Sequence, residues 1–202
     1  MPPPVIEEPV RGFLAEEEGL ALYQQACDAA ALGPLIEIGS YCGRSTLFLA
    51  AACRDRDTLL YAVDHHRGSE EHQPGEQFHD PALLTDSGGV DTLREFRRNL
   101  ERHDLSDRVV PVVAASSRAS AHWLWPSGMV FIDGGHSLDS ALEDYRAWAG
   151  RVARGGILAI HDVYPDPFAG GQAPLAVWRL ACASGLFQHE LEVGSLRFLK
   201  RL

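Results

Sequence analysis

One stretch narrows the possible folds more than any other. Leu35 to Gly39 reads LIEIG, a short apolar run; small and polar residues follow; Arg44 to Cys53 is small and largely apolar; and Leu59 to Asp64 reads LLYAVD, a second apolar run closed by an acid. Apolar runs this short, without polar alternation, suit strands covered on both faces. Parallel neighbours need a crossover, and a helix over Arg44 to Cys53 supplies one, so the stretch predicts a β-α-β unit. A core begun in this way calls for a parallel sheet with helices packed over it.

The rest of the chain continues the alternation. Asp91 to His103 has amphipathic helical spacing, Arg108 to Ala114 (RVVPVVA) and Met129 to Asp133 (MVFID) read as strands, Ser137 to Val152 as a helix, and Gly156 to His161 (GILAIH) as a fifth strand. A helix at about Pro174 to Ser184 precedes FQHELEVGSLRFLKRL, two strand-like runs joined by Gly194 and Ser195. So short a link makes them antiparallel. Upstream, the four prolines of the first ten residues predict a surface arm over residues 1–14. Leu20, Leu22, Tyr23, Ala26 and Ala30 recur at helical spacing in a helix over residues 15–31, which Gly33 and Pro34 stop. The expected fold is α/β: a Rossmann-like, doubly wound, mostly parallel seven-stranded sheet with a C-terminal antiparallel hairpin. A chain of 202 residues suits one domain over residues 1–202.

Composition enters as exclusion. With 18 Lys and Arg against 28 Asp and Glu the net charge is −10, which repels a phosphate backbone and argues against nucleic acid as partner. No window approaches the roughly 18 uninterrupted apolar residues of a membrane helix. The four cysteines, Cys27, Cys42, Cys53 and Cys182, lack C-x-x-C spacing, and MPPPVIEEPV lacks the features of a secretory leader, so a reduced, cytoplasmic setting is expected.

The residues that carry chemistry stand where strands end. In EIGSYCGRST (Glu37 to Thr46), Gly39 and Gly43 let the backbone turn sharply and approach a ligand, with Ser40 between them. The amides and hydroxyls of Ser45 and Thr46 open a helix whose positive end attracts an anionic group. The spacing is G-x-x-x-G, short of the three-glycine dinucleotide fingerprint. Asp64 ends the second strand about one β-α-β unit onward, placed to accept hydrogen bonds from both hydroxyls of a ribose, with His65 beside it. NAD and S-adenosylmethionine (SAM) both satisfy that pair. FIDGGHS brings Asp133 and His136, and AIHDVYPD brings His161 and Asp162, to the ends of what should be adjacent strands, so they can share one crevice. Asp133, His161 and Asp162 form an expected metal set, suited to Mg²⁺ or Mn²⁺, with Fe²⁺ or Zn²⁺ admitted by the histidine. The polar segment of residues 65–89 follows a strand's carboxyl end and reads as a substrate or lid loop.

Together these residues resemble the class I SAM-dependent methyltransferases, specifically the small-molecule O-methyltransferase group that includes macrolide-sugar enzymes and the cephalosporin-pathway protein. The markers are EIGSYCGRST, VDHH at Val63 to His66, FIDGGHS at Phe131 to Ser137 and GGILAIHD at Gly155 to Asp162, and the resemblance spans Leu35 to Leu202. It implies that Glu37, Gly39 and Gly43 line the methionine moiety, that Asp64 holds the ribose and that Ser116 lies by the adenine. In metal-dependent relatives, acids at the positions of Asp133, His161 and Asp162 hold Mg²⁺. The His-Asp pair departs from that pattern and leaves metal identity and metal dependence open. Ala115 departs too, because many relatives place an adenine-contacting acid there.

A methyltransferase must align its acceptor oxygen with the sulfonium methyl at about 3 Å and remove the hydroxyl proton. His136 and His161 are the candidate bases, with Asp133 orienting the acceptor or ligating metal; a helix-capping role competes for His136. His65, His66, Arg67, Glu70, Glu71, His72 and His79 favour a polar small-molecule acceptor such as a sugar or polyol. A homodimer is expected from the resemblance. Two rival readings stand beside this one: a metal-dependent hydrolase built on the same strand-end residues, and a non-catalytic nucleoside-binding module.

Overall fold

β1 (Leu35–Ile38) is buried at every position, as a strand covered on both faces must be. Its odd and even residues enter two different layers, following the period of two. In the computed structural model, which describes residues 4, 6, 9–76 and 78–202, the strands are β1, β2 (Leu60–Asp64), β3 (Val109–Val113), β4 (Ser127–Ile132), β5 (Val152–Ile160), β6 (Phe187–Val193) and β7 (Leu196–Arg201). Residues 1–3, 5, 7 and 8 of the expected arm and residue 77 of the expected loop lie outside the described residues. The helices are α1 (Glu16–Ala29), α2 (Arg44–Arg56), α3 (Leu93–Arg102), α4 (Ser116–Ser120), α5 (Leu138–Trp148) and α6 (Ala173–Ala183).

The sheet order is β3-β2-β1-β4-β5-β7-β6. β1 through β5 are parallel to one another, while β7 runs antiparallel to both β5 and β6, which is the expected terminal hairpin. Leu35 joins a layer with Leu22 and Ala26 of α1, Phe48 and Leu49 of α2 and Phe96 of α3. Ile36 and Ile38 join the opposite layer with Tyr145 and Trp148 of α5 and Leu175 and Val177 of α6. Each fully buried Leu, Ile or Phe contributes about 1.5–3 kcal/mol relative to exposure. The alanines of α2 let it lie close to the sheet; Ala50, Ala51 and Ala52 are fully buried.

Several boundaries differ from the sequence reading. β5 begins at Val152 rather than Gly156, because an irregularity in the β4–β5 pairing, between Ser127 and Met129, lets the strand run through Gly155 and Gly156. α5 stops at Trp148 and tightens into a 3-10 turn over Ala149–Arg151. α4, only five residues long, gives no periodic signal in the sequence. Among the described residues no helix is long and apolar enough to cross a membrane.

Strand order reverses between β1 and β4, since β2 lies on one side of β1 and β5 beyond β4. At such a switch point the connections leave in opposite directions and open a crevice at the carboxyl ends of the strands.

Candidate active site

A cleft of about 300 Å³ occupies that crevice. Gly39, ending β1, has φ of 86° and faces the end of β4: a Cβ there would overlap the Asp133 carbonyl and lie 2.9 Å from Gly134 Cα. Glycine is required at this position by both space and backbone. Gly43 caps α2 with φ of 94°.

Glu37 does not reach the cleft. Strand alternation points it at α2, where Ser45 Oγ and Thr46 Oγ1 each donate to its carboxylate at 2.6 Å. Burial pushes the Glu37 carboxyl up to about 7 despite those two hydrogen bonds. Gly39, Ser40 and Ser45 line the cleft, whereas Glu37, Gly43 and Thr46 do not. Glu37, expected at the methionine moiety, holds the first turn of α2 from beneath, and Gly43, expected there too, caps that helix.

Asp64 lines the cleft, but most of its acceptor capacity is spent on protein. Its Oδ2 accepts the amides of Ser40 and Tyr41, each at 2.9 Å, and its Oδ1 accepts the amide of His66 at 2.7 Å. A carboxylate offers about four lone-pair sites, so room remains for one hydroxyl rather than two. Tyr41 and His66, both at positive φ (46° and 57°), are the strained residues that this carboxylate holds in place. His65 also lines the cleft; its Nδ1 accepts the Arg67 amide at 3.0 Å. Ser116 opens α4 on the cleft and its Oγ accepts from Trp148 Nε1 at 2.8 Å. Near it Asp144 lines the same wall, its carboxyl pushed up to about 6 by burial.

β4 and β5 deliver the remaining groups. His136 lies between two carboxylates, with Nδ1 2.9 Å from Glu71 Oε1 and Nε2 2.9 Å from Asp162 Oδ2. The hydrogen bond to Asp162 outweighs burial and raises His136 to about 9. It is not a helix cap: Ser137 caps α5 by accepting from the Ser140 amide at 3.3 Å. His161 is almost wholly buried, with Nδ1 3.0 Å from Asp133 Oδ1 and Nε2 3.1 Å from Glu18 Oε2. Burial opposes charge on this ring, yet Asp133 and Glu18 together hold it well above the usual histidine range. Asp162 adopts φ of 56° and takes the Tyr164 hydroxyl at 3.0 Å.

Ligand atoms of Asp133, His136 and Asp162 all lie within 4.8 Å of one another. His161 is not in that group; its Nδ1 lies 3.0 Å from Asp133 and its Nε2 3.1 Å from Glu18. Two carboxylates with one imidazole suit a divalent cation, and a carboxylate on the far ring nitrogen, as Glu71 is on His136, is the outer partner that such histidines use.

The expected loop after β2 and residues 11–14 of the expected arm complete the walls. The loop after β2 folds over the cleft through 3-10 turns at Glu70–His72 and Pro81–Leu83. The arm meets it: Arg11 Nε pairs with Asp80 at 2.7 Å, and Phe13 packs on Phe78 with ring centroids 4.9 Å apart. Arg11, Phe13, Leu14, Tyr41 and Arg44 all line the cleft. Glu18 reads in sequence only as an acid favourable to a helix start, with nothing to reveal its partner 143 positions away.

A doubly wound sheet with a C-terminal antiparallel pair and a ligand cleft at the β1–β4 switch defines the class I SAM-dependent methyltransferase fold. A family model described as a methyltransferase domain matches residues 36–163, and the chain belongs to that family. Among solved structures, the O-methyltransferase NovP aligns with a TM-score of 0.70 at 16% identity over 92% of this chain and 79% of NovP. TomG from Streptomyces achromogenes, an O-methyltransferase of tomaymycin synthesis crystallised with SAM, aligns with a TM-score of 0.64 at 16% identity, covering 94% of this chain and 81% of TomG. The calicheamicin methyltransferase CalS11 gives 0.66 at 16% identity over 93% and 80%. Identities this low carry the fold alone.

Proposed function

We propose that the chain is a single SAM-dependent O-methyltransferase domain that methylates a hydroxyl of a polar small molecule. The observation that carries the reading is the convergence, in one cleft, of Asp64 with His136 and Asp162, His136 being held from behind by Glu71. A glycine that no side chain could replace, beside a carboxylate with one acceptor site left, suits a nucleoside approached closely by backbone. TomG, bound to SAM, supports the same cofactor by likeness of fold.

SAM would supply a sulfonium methyl for in-line attack by the acceptor oxygen. The protein's share is placement and proton removal. Asp133, His136 and Asp162 face the cleft where the acceptor enters. Asp133 is held by His161 through Oδ1, which leaves Oδ2 to orient the hydroxyl or receive its proton. His136 serves as base once it is neutral, with Glu71 fixing its ring. Alternatively, a divalent cation such as Mg²⁺ or Mn²⁺, held by Asp133, His136 and Asp162, would add positive charge that makes the hydroxyl more acidic, with His136 then a ligand rather than the base.

Calorimetric titration of EDTA-treated protein tests the reading: SAM alone, SAM with Mg²⁺ or Mn²⁺, and NAD. Micromolar SAM binding without NAD binding is expected. Absence of SAM binding in every condition would overturn the reading and favour the metal-dependent hydrolase.

A further inference from the structure

His161 stands behind two of the acids that face the cleft. Its Nδ1 is 3.0 Å from Asp133 Oδ1 and 3.6 Å from Asp162 Oδ2, and its ring packs edge-on against buried Phe131 with centroids 6.3 Å apart. One ring nitrogen therefore sets how far those carboxylates stand from each other. The terminal torsion of a histidine is broad and roughly two-fold, so a partner on each nitrogen is what selects one ring orientation. The second partner comes from α1: Nε2 meets Glu18 Oε2 at 3.1 Å, where Glu18 and His161 are each 4% exposed.

Glu18 is itself built into place. Its Oε1 accepts the amide and hydroxyl of Ser195 at 2.6 and 2.9 Å, and its Oε2 accepts the Ala15 amide at 3.0 Å. The β6–β7 turn is shaped around it, because a Cβ on Gly194 would lie 2.5 Å from Glu18 Oε1. The Ser195 carbonyl accepts the Val163 amide at 2.9 Å, directly after Asp162 with its φ of 56°. Both acids are thus referred to one carboxylate, Asp133 through the His161 ring and Asp162 through that ring and the Ser195 backbone. As a mere join between α1 and β5 this is an expensive device, since apolar packing often stabilises as well as a buried ion pair. What a fully satisfied polar network adds, and apolar packing does not, is direction.

We propose that Glu18 is a positioning residue for the acceptor face of the cleft: acting through His161, it holds Asp133 and Asp162 at the separation that an acceptor hydroxyl or a divalent cation requires. This rests on the reading above of those acids as facing the acceptor. Loss of an outer partner of this kind weakens a metal site about 10–100-fold.

Two measurements on wild type, Glu18→Gln and Ser195→Ala test it. Glu18→Gln keeps the shape and an oxygen for the Ser195 amide but removes the charge opposite Nε2. Ser195→Ala takes a hydroxyl from the same carboxylate and leaves the ring contact in place. In NMR of protein labelled with ¹⁵N-histidine, a downfield Nδ1–H signal that is absent from His161→Gln is expected in wild type and Ser195→Ala, and should be lost in Glu18→Gln. In Mn²⁺ titration followed by electron paramagnetic resonance, Glu18→Gln should weaken the ion at least about tenfold, with Ser195→Ala within about twofold of wild type. A wild type without the Nδ1–H signal refutes the proposal without recourse to any variant. Retention of that signal or of wild-type Mn²⁺ affinity by Glu18→Gln overturns it, and equal losses in Ser195→Ala overturn it too, by reducing Glu18 to an anchor of the hairpin. If wild type binds no Mn²⁺, the cation reading alone fails, and the Nδ1–H signal decides for or against Glu18.

Discussion

Glu18 and His161, separated by 143 positions, meet at 3.1 Å in the interior and join α1 to the end of β5. Glu18 also accepts the amide and hydroxyl of Ser195, at 2.6 and 2.9 Å, and the Ala15 amide at 3.0 Å. One carboxylate thus secures the first helix, the hairpin turn and the histidine that holds Asp133.

Removing that carboxylate leaves a buried cation and several donors without a partner. Glu18→Ala should destabilise the protein by about 3–5 kcal/mol in urea unfolding at pH 7. Burial alone would raise the Glu18 carboxyl, but the His161 hydrogen bond and the amides lower it to about 2. A carboxyl depressed on folding stabilises above its unfolded value near 4.5 and loses that contribution as pH falls toward 2. The difference between wild type and variant should therefore shrink by pH 3.

Glu37 titrates with the opposite sign. Its carboxyl is raised from 4.5 to about 7 by burial, so its contribution is fully present below 4.5 and is lost as pH rises through 7. Glu37→Gln should gain stability relative to wild type between pH 5 and pH 8, by up to about 3 kcal/mol from 1.36 kcal/mol per unit. Parallel pH dependence of the two proteins in thermal unfolding would contradict this.

Gly39→Ala combines a left-handed backbone with overlap of the β4 end. We expect destabilisation of about 3 kcal/mol or more and loss of S-adenosylhomocysteine binding by calorimetry. Gly75→Ala is a useful comparison: its φ of 94° carries the same backbone strain, but nothing lies within 4 Å of the added Cβ.

Asp64→Asn retains shape but offers one oxygen where three amides now bind two. The β1–α2 turn should loosen and S-adenosylhomocysteine affinity fall about tenfold or more. An unchanged dissociation constant would remove Asp64 from the cofactor site.

Metal binding can be read without turnover. Titration of Mn²⁺ followed by electron paramagnetic resonance should give a site that His136→Ala or Asp162→Asn weakens at least about tenfold, the scale expected when a ligand is lost. Retention of Mn²⁺ by both variants would place the ion away from Asp133, His136 and Asp162.

The parallel strands, the helices between them and the terminal hairpin were legible because their signals are local. LIEIG and LLYAVD are too short and too apolar for anything but buried strands, and Gly194-Ser195 leaves no length for a crossover. Element ends were less legible: the entry of β5 depends on its irregular pairing with β4. The sequence placed Glu37 and Asp64 at the two strand ends but not their roles, since strand alternation sent Glu37 under α2 and three backbone amides filled most of Asp64.

The sequence by itself determined the β-α-β order, the glycines of the first turn, and which acids and imidazoles arrive at strand ends, because spacing and side-chain period act within a few residues. Only the tertiary structure decided that His136 lies between Glu71 and Asp162, that Glu18 faces His161, and that the arm closes over Arg44. Those outcomes turn on which donor reaches which acceptor first across the packed layers. Hydrogen bonds inside a protein depend on distances of a few tenths of an ångström between groups more than a hundred residues apart, and no local pattern encodes them.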